Sequence, residues 1–412
     1  MLPSGTPLSA WLTWLESLSP NEIDLGLERV REVLERLEVP VAEHVIIVAG
    51  TNGKGSSVAM MSALLRAAGK RVGAYTSPHM IDYNERIVVQ GQPASDDEIV
   101  AAFEKIEAVR KGVPLTYFEY GTLAAFVVFA EAALDVWVLE VGMGGRLDAT
   151  NVVEPTAALI TTVSLDHCDW LGKDIETIAL EKAGVMRGGI PVVFGSADVP
   201  QAIIDRAESL GADLRLRGRD YSLDAVPQPG LRGEFQVGNA AAVLALLRAA
   251  GLSEAADEAL AASVLPEVQL MGRGHCIEQD GVAWLLDVAH NPAAAEVLAA
   301  TLASEQHPGE TTAIIGMLDD KDIDGVVEPL NQHVDRWIAV TAASHRAVPA
   351  GELARQIANA CGRPCLIAES LDEAMESARR DASINDRILV TGSFYLVGPV
   401  LERLRLYSRS QL

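Results

Sequence analysis

Val45-Ile46-Ile47-Val48-Ala49-Gly50-Thr51-Asn52-Gly53-Lys54-Gly55-Ser56-Ser57 is the stretch from which the rest of the chain can be read. A β-branched apolar run breaks into glycines and then into a helical pattern over 56–68. Glycines let consecutive backbone N–H groups turn toward one anion, and the positive end of the following helix adds to the attraction. Lys54 is placed to reach the β/γ-phosphates of a nucleotide, and a nearby hydroxyl to meet Mg²⁺. The loop departs from the usual phosphate-loop spacing. Only two residues separate Gly50 from Gly53, and Gly55 stands between Lys54 and the hydroxyl. A plain glycine turn opening a helix is the alternative, but strand–loop–helix is the setting a phosphate loop requires.

Outward from this stretch, apolar runs and helical stripes alternate. Strands are expected at 72–75, 136–141, 157–163 and 191–194, with helices at 98–110 and 175–186. Strands separated by helices build a mainly parallel sheet covered on both faces. The alternation lapses over 215–234, where Pro227, Pro229, Gly230 and Gly233 gather, and helices follow at 239–250 and 253–264. A second series has strands at 283–288, 312–315, 336–340, 365–367 and 387–390, and helices at 293–302, 352–360 and 371–380. The chain therefore reads as α/β throughout. A mainly parallel, phosphate-loop-type domain is expected over 1–272 and a smaller Rossmann-like domain over 273–412, with the boundary at 271–276.

Bulk properties agree. The 412 residues suit two domains, and a composition 49% hydrophobic and 22% charged supports a sizeable core. A net charge of −24 argues against nucleic acid or anionic membrane as a partner, while leaving room for small anions at a local positive site. Residues 1–19 lack the basic and apolar order of a secretory signal. The apolar region 123–141 is interrupted by Glu131 and Asp135 and reads as a buried helix running into a strand, not a membrane span. Cys168, Cys276, Cys361 and Cys365 show no zinc or disulfide spacing, so a reduced, cytoplasmic protein is expected. The sequence leaves the oligomeric state open, and a monomer is the default expectation.

Further chemistry sits at the strand ends. Glu140 closes an apolar strand, where a phosphate-loop enzyme holds its metal or orients water, although an acid ending a strand is also common for no such reason. The following Gly142-Met143-Gly144-Gly145-Arg146-Leu147-Asp148-Ala149 reads as a backbone-lined binding turn. His167, between Asp166 and Asp169, is a metal-ligand candidate or a structural histidine. Lys182, near a helix end, reads most simply as solvated. Asp287-Val288-Ala289-His290-Asn291-Pro292 follows a strand of the second domain, at the edge where α/β folds bind ligands. Its alternative is a helix N-cap at Asn291 followed by Pro292.

In order along the chain stand the loop 50–56, Thr76-Ser77-Pro78-His79, Asn84-Glu85-Arg86-Ile87, Thr116-Tyr117-Phe118-Glu119, the run 140–151, Asp166-His167-Cys168-Asp169-Trp170-Leu171-Gly172, Glu181-Lys182-Ala183-Gly184 and 287–292. This series resembles the folylpolyglutamate synthase family within the Mur-ligase superfamily, from about Ile23-Asp24-Leu25-Gly26-Leu27-Glu28-Arg29 to Thr391-Gly392-Ser393-Phe394. Pairing 23–29 with 116–119 resembles its bacterial bifunctional dihydrofolate synthase branch. The resemblance implies that Thr51, Asn52, Gly53, Lys54, Gly55 and Ser56 hold ATP phosphates. Asn239, Arg273 and Asp287 would contact the nucleotide, with His290 beside them. Ser77, Glu140 and His167 would ligate magnesium, as two ions, and Lys182 matches a lysine the family often carries as a carbamate. The resemblance also leaves room for a monovalent cation. Ile23, Asp24, Leu25, Thr116, Tyr117, Phe118, Glu119, Leu147, Asp148 and Ala149 would line a pterin site. Lys54, Lys182 and His167 are the expected catalytic residues. One departure is Leu270-Met271-Gly272-Arg273-Gly274-His275, which lacks the family's linker proline and bulky residue.

The implied activity is an ATP- and Mg²⁺-dependent ligase that adds L-glutamate to 7,8-dihydropteroate and extends reduced-folate polyglutamates through an acyl phosphate. No covalent nucleophile is needed, and closure of the second domain would keep water from the acyl phosphate. A muramyl-peptide ligase would be expected to carry a nucleotide-sugar domain before the first strand, where only 44 residues stand. A non-enzymatic phosphate-loop regulator should lack the Glu140/His167 pair and a second nucleotide-contacting domain.

Overall fold

A computed structural model describes residues 3, 5–18, 24–279, 281–305 and 307–406. β1 (His44–Ala49), β2 (Val72–Tyr75), β3 (Ile87–Val89), β4 (Gln92–Pro93), β5 (Val136–Glu140), β6 (Ala157–Ile160), β7 (Pro191–Phe194) and β8 (Asp213–Leu216) form one sheet, in the order β4-β3-β2-β5-β1-β6-β7-β8. It is parallel except where β3 and β4 fold back as an antiparallel hairpin. β9 (His275–Gln279), β10 (Val282–Leu286), β11 (Thr311–Ile315), β12 (Arg336–Ala339), β13 (Cys365–Ile367) and β14 (Arg387–Thr391) form a second sheet, ordered β13-β12-β11-β14-β10-β9. Only β9 is antiparallel there. The mixed α/β reading with two mainly parallel sheets holds.

The central strands are near-continuous apolar runs because helices cover both faces. On one face, Val58, Met61 and Leu64 of helix Lys54–Ala67 pack with Val243 and Leu247 of helix Phe235–Ala249 against Ile46, Val48 and Leu159. On the other, Phe126 of helix Tyr117–Glu131 stacks on Trp137 with ring centroids 5.4 Å apart. Both rings are fully buried, and each contributes roughly 1.5–3 kcal/mol or more of burial energy. Register then fixes the site. Val48 pairs with both Glu140 and Leu159, and Tyr75 with Leu139, so the chain leaves β1, β2, β5 and β6 at one common edge.

Several elements differ in detail from the pattern reading. β8 lies across the start of the lapse, because Asp213 and Arg215 alternate with Leu214 and Leu216 on an edge strand paired only with β7. The helix expected from 239 begins at Phe235; its Gly238 masks the earlier start. The stretch 253–264 divides into a turn, Ser253–Ala256, and helix Glu258–Val264, capped where Asp257 accepts from Leu260 N–H. The stretch 175–186 ends its α-helix at Lys182. Among the described residues no helix is long and apolar enough to cross a membrane.

Candidate active site

The phosphate loop is held mainly by β6 and the chain after it. Asn52 N–H donates to Thr162 Oγ1 at 3.0 Å, Thr161 Oγ1 donates to the Asn52 carbonyl at 2.6 Å, and Thr51 Oγ1 accepts from Ser164 N–H at 3.0 Å. Gly50 has φ 143°, and a Cβ there would lie 1.9 Å from Thr161 Oγ1, so no other residue fits the loop's approach to β6. Lys54 opens the helix and donates from Nζ to the carbonyls of Gly50 and Thr51, both at 3.1 Å. Lost hydration lowers its pKa, while Glu140 and Asp166 oppose the shift.

Glu140 ends β5 buried, and its Oε2 accepts the Ser77 N–H at 3.3 Å. Burial raises its carboxyl pKa, with Lys54 and Arg273 pulling the other way. His167 is brought down to about 4 chiefly by burial, which leaves a neutral imidazole able to ligate. Asp166 beside it is held well below the carboxylate range: burial alone would raise it, but His167, Lys321 and His290 outweigh that. Lys182 is buried at 3% exposure and its pKa falls to about 7, through burial first and then Lys54. The solvated reading of Lys182 is therefore wrong: the helix end is packed against the glycine turn. A Cβ on Gly145 would sit 2.9 Å from the Glu181 carbonyl and 3.0 Å from that of Lys182. Among the described residues no three His, Cys, Asp or Glu side chains converge as a ready-made metal cage. A buried carboxylate with no ion-pair partner among the described residues, a neutral imidazole and the Ser77 hydroxyl on one cavity wall nevertheless fit a hard divalent cation.

These groups line a cavity of about 240 Å³ shared by both sheets' loops: Gly50 to Gly55, Ser77, Glu140, Asp166, His167 and Lys182 face Arg273, His290, Asp320, Lys321 and Arg346. Arg273 lies over the Phe394 ring, 5.0 Å from its centroid, between Gly272 and Gly274, whose φ values are 66° and 61°. Asp287 accepts from Gly274 N–H and Ala289 N–H, both at 2.8 Å, and so fixes the linker; burial raises its pKa. His290 Nδ1 is 2.8 Å from the Val288 carbonyl, and burial takes its pKa to about 4. Asn291 is the N-cap of helix Pro292–Ser304. Ser56 and Asn239 lie behind the loop, joined through Gln236, which donates to Ser56 Oγ at 3.2 Å and accepts from Asn239 Nδ2 at 2.9 Å.

A larger cavity, about 1060 Å³, lies alongside and is lined by Asp24, Leu25, Tyr117, Phe118, Glu119, Leu147, Asp148 and Ala149. Ser77, Pro78, Gly142, Met143, His167, Arg346 and Tyr395 belong to both cavities. Arg29 organises its rim, pairing with Asp24 at 2.8 Å and Glu119 at 2.9 Å. Thr116 and Glu119 cap helix Tyr117–Glu131 reciprocally, and Thr116 does not line the cavity. Asp148 spends its oxygens within its own turn, accepting from Met143 N–H at 2.9 Å and Thr150 Oγ1 at 2.6 Å. Phe118 packs the tip of its ring against the glycine turn, 2.7 Å from where a Cβ on Gly142 would stand. Ile23 lies outside the described residues.

Comparison with known proteins names the family. Residues 48–210 match the Mur ligase middle domain, and residues 272–394 the Mur ligase glutamate ligase domain. The chain is 41% identical to the dihydrofolate synthase/folylpolyglutamate synthase of Escherichia coli (strain K12), over 97% of this chain and 96% of that one. It is 38% identical to the Haemophilus influenzae protein of the same name, over 96% and 97%. The chain belongs to the dihydrofolate synthase/folylpolyglutamate synthase family of Mur ligases. Of solved family members, E. coli FolC in complex with DHPP and ADP matches this ligase with a TM-score of 0.93 at 39% identity, covering 98% of this chain and 99% of that one. A bifunctional folylpolyglutamate synthase/dihydrofolate synthase with Mn, AMPPNP and L-glutamate bound matches with a TM-score of 0.90 at 41% identity, covering 98% and 99%.

Sequence reasoning gave no role to several residues of this family member's site. Arg86 is buried, donates to His79 Nδ1 at 2.9 Å and lies over the rings of Tyr83 and Tyr117. Asp320, Lys321 and Arg346 come from loops at the carboxyl edge of the second sheet, and Tyr395 from the first turn of helix Phe394–Arg403 beside them. The strand-end rule that singled out 287–292 also covers 319–322, after β11, and 392–395, after β14.

Proposed function

We propose that this chain is an ATP- and Mg²⁺-dependent ligase that adds L-glutamate to 7,8-dihydropteroate and extends the glutamate tail of reduced folates. The observation that carries this reading is the wall shared by the two cavities: an acceptor seated along Phe118 and Leu25 would bring its carboxylate to Ser77 and His167, beside the phosphate loop. Phe118 offers its ring to a flat heterocycle, and Asp24 stands at the rim for its amino groups. A carboxylate attacking a γ-phosphate brings two anions together, so the loop N–H groups and Lys54 must offset growing charge. Held by Ser77, Glu140 and His167, magnesium would supply further charge stabilisation to the transferring phosphoryl group. Arg273, Asp287 and His290 hold the nucleotide side, with Asn239 behind the loop. The glutamate amine then attacks the acyl carbon, inorganic phosphate leaves with the electrons of the broken C–O bond, and the amine loses a proton as the amide forms. Arg346 and Lys321 face the junction as cations for the glutamate carboxylates.

Lys182, near half-deprotonated at neutral pH, is suited to react with CO₂. As a carbamate it would place an anion among Lys54 and the metal donors and support a second magnesium or a monovalent cation. The functional boundary falls between 272 and 273, at the linker. The four cysteines are free, in keeping with a reducing compartment, and we place the enzyme in the cytoplasm as a monomer. The test is ADP release by the purified chain with Mg²⁺, ATP and glutamate. Stimulation by both dihydropteroate and a reduced folate monoglutamate is expected. Glutamate-dependent release with neither acceptor would remove the folate assignment and leave the ligase.

A further inference from the structure

Asn52 and Asn291, 239 positions apart, exchange two side-chain hydrogen bonds, each 3.1 Å. Asn291 Nδ2 also donates to Asp166 Oδ2 at 2.9 Å, and its Oδ1 accepts from Ala294 N–H at 2.9 Å. A carboxamide has two donor hydrogens and two acceptor lone pairs, and here all four are used in a side chain only 2% exposed. Capping helix Pro292–Ser304 needs just one of those bonds, which serine or aspartate would supply as well. The other three reach the first domain. Asn52 has its backbone N–H and carbonyl already fixed by Thr162 and Thr161, so its side chain is the loop's contact with the second domain here.

We propose that Asn291 is a positioning residue, which makes the working geometry of the phosphate loop depend on the seating of the second domain. The same amide holds Asp166, one position before His167, so the loop and the His167 segment are set together. The consequence for chemistry rests on the ligase reading. A loop completed only when the second domain is seated withholds phosphoryl transfer until the place where the acyl phosphate will form is shielded from water.

Asn291→Ser separates positioning from capping. Hydrogen exchange in the ligand-free chain should rise about tenfold at the backbone amides of Thr51 and Asn52, which donate to Thr162, while amides within 294–304 stay unchanged. Acceptor-dependent ADP release should show a kcat reduced about tenfold or more, with a larger share of ADP formed in the absence of glutamate. Asn52→Ser should give a smaller loss, because it removes only the two bonds that the pair shares and leaves the one to Asp166, and the double variant should lose no more than Asn291→Ser alone. Unchanged exchange at Thr51 and Asn52, or losses that add in the double variant, would overturn the proposal. Exchange needs neither acceptor nor nucleotide. A wild-type chain inactive with folates would therefore remove the folate assignment and leave the coupling to stand or fall on exchange.

Discussion

Lys54 donates from Nζ to the carbonyl oxygen of Gly50 at 3.1 Å, closing the phosphate loop on its own lysine. Carbonyl dipoles are a weak substitute for phosphate charge, and partial burial already disfavours the ammonium. A phosphate entering the loop would therefore draw Lys54 away from these carbonyls. Lys54→Ala should lower turnover by about two to four orders of magnitude while the thermal unfolding midpoint stays near wild type. ADP formation at the wild-type rate would remove Lys54 from the phosphate site.

Glu140, which ends β5, and His167, seven residues beyond the end of β6, are proposed above as members of one small donor set. Glu140→Gln keeps shape and the Ser77 contact but loses the charge; His167→Ala loses the imidazole. Each should move the Mg²⁺ titration of ADP release to higher concentration, by roughly tenfold or more. Identical titrations in both variants would make these residues structural.

Lys182 carries a pH signature. Its proton leaves near 7 in the folded chain and near 10.5 in the unfolded one. Between those values the unfolded state binds more protons, so stability rises with pH across the window and the penalty is fully present below 7. In CO₂-free buffer, Lys182→Met should be more stable than wild type at pH 7 and should flatten the rise toward pH 10 in thermal melts. The same variant should lose activity, and wild-type activity should fall on CO₂ depletion and return with bicarbonate. Parallel stability curves for the two proteins would contradict the burial argument.

Arg29 joins the segment before helix Glu28–Leu37 to the cap of helix Tyr117–Glu131. Arg29→Met would leave Glu119 buried and short of its cation, at a cost of roughly 1–3 kcal/mol in denaturant unfolding. Because Asp24 and Leu25 line the larger cavity, KM for the pterin acceptor should rise while KM for ATP holds. An equal rise in both would place Arg29 in general stability alone.

What could be read beforehand follows from how local each signal is. The phosphate loop and Glu140 were legible because a glycine break and a lone acid stand out against apolar strands. The burial of Lys182 was not, since it comes from Gly145 packing across the turn, a contact no spacing along the helix reveals; only the family resemblance pointed to that residue. Thr116-x-x-Glu119 carries a capping-box signature as well as the family match, and the structure shows both residues capping. β8 was missed because its exposed Asp213 and Arg215 dilute the apolar signal. Lys321 and Arg346 sit in polar loops, where a charged residue at the site and one in solvent look alike in sequence.

The linker has a consequence for anyone wishing to harden this enzyme against heat. Prolines and alanines in place of loop glycines are a common route to stability. Here both glycines flanking Arg273 have positive φ, a Cβ on Gly272 would meet Met80 at 2.5 Å, and one on Gly274 would meet Arg232 at 2.9 Å. Stiffening the pivot would therefore strain it and displace the arginine it carries into the cavity. Engineering for heat tolerance has better ground in the glycines at 69, 112, 211 and 362, where a side chain meets open space, although positive φ demands asparagine rather than alanine.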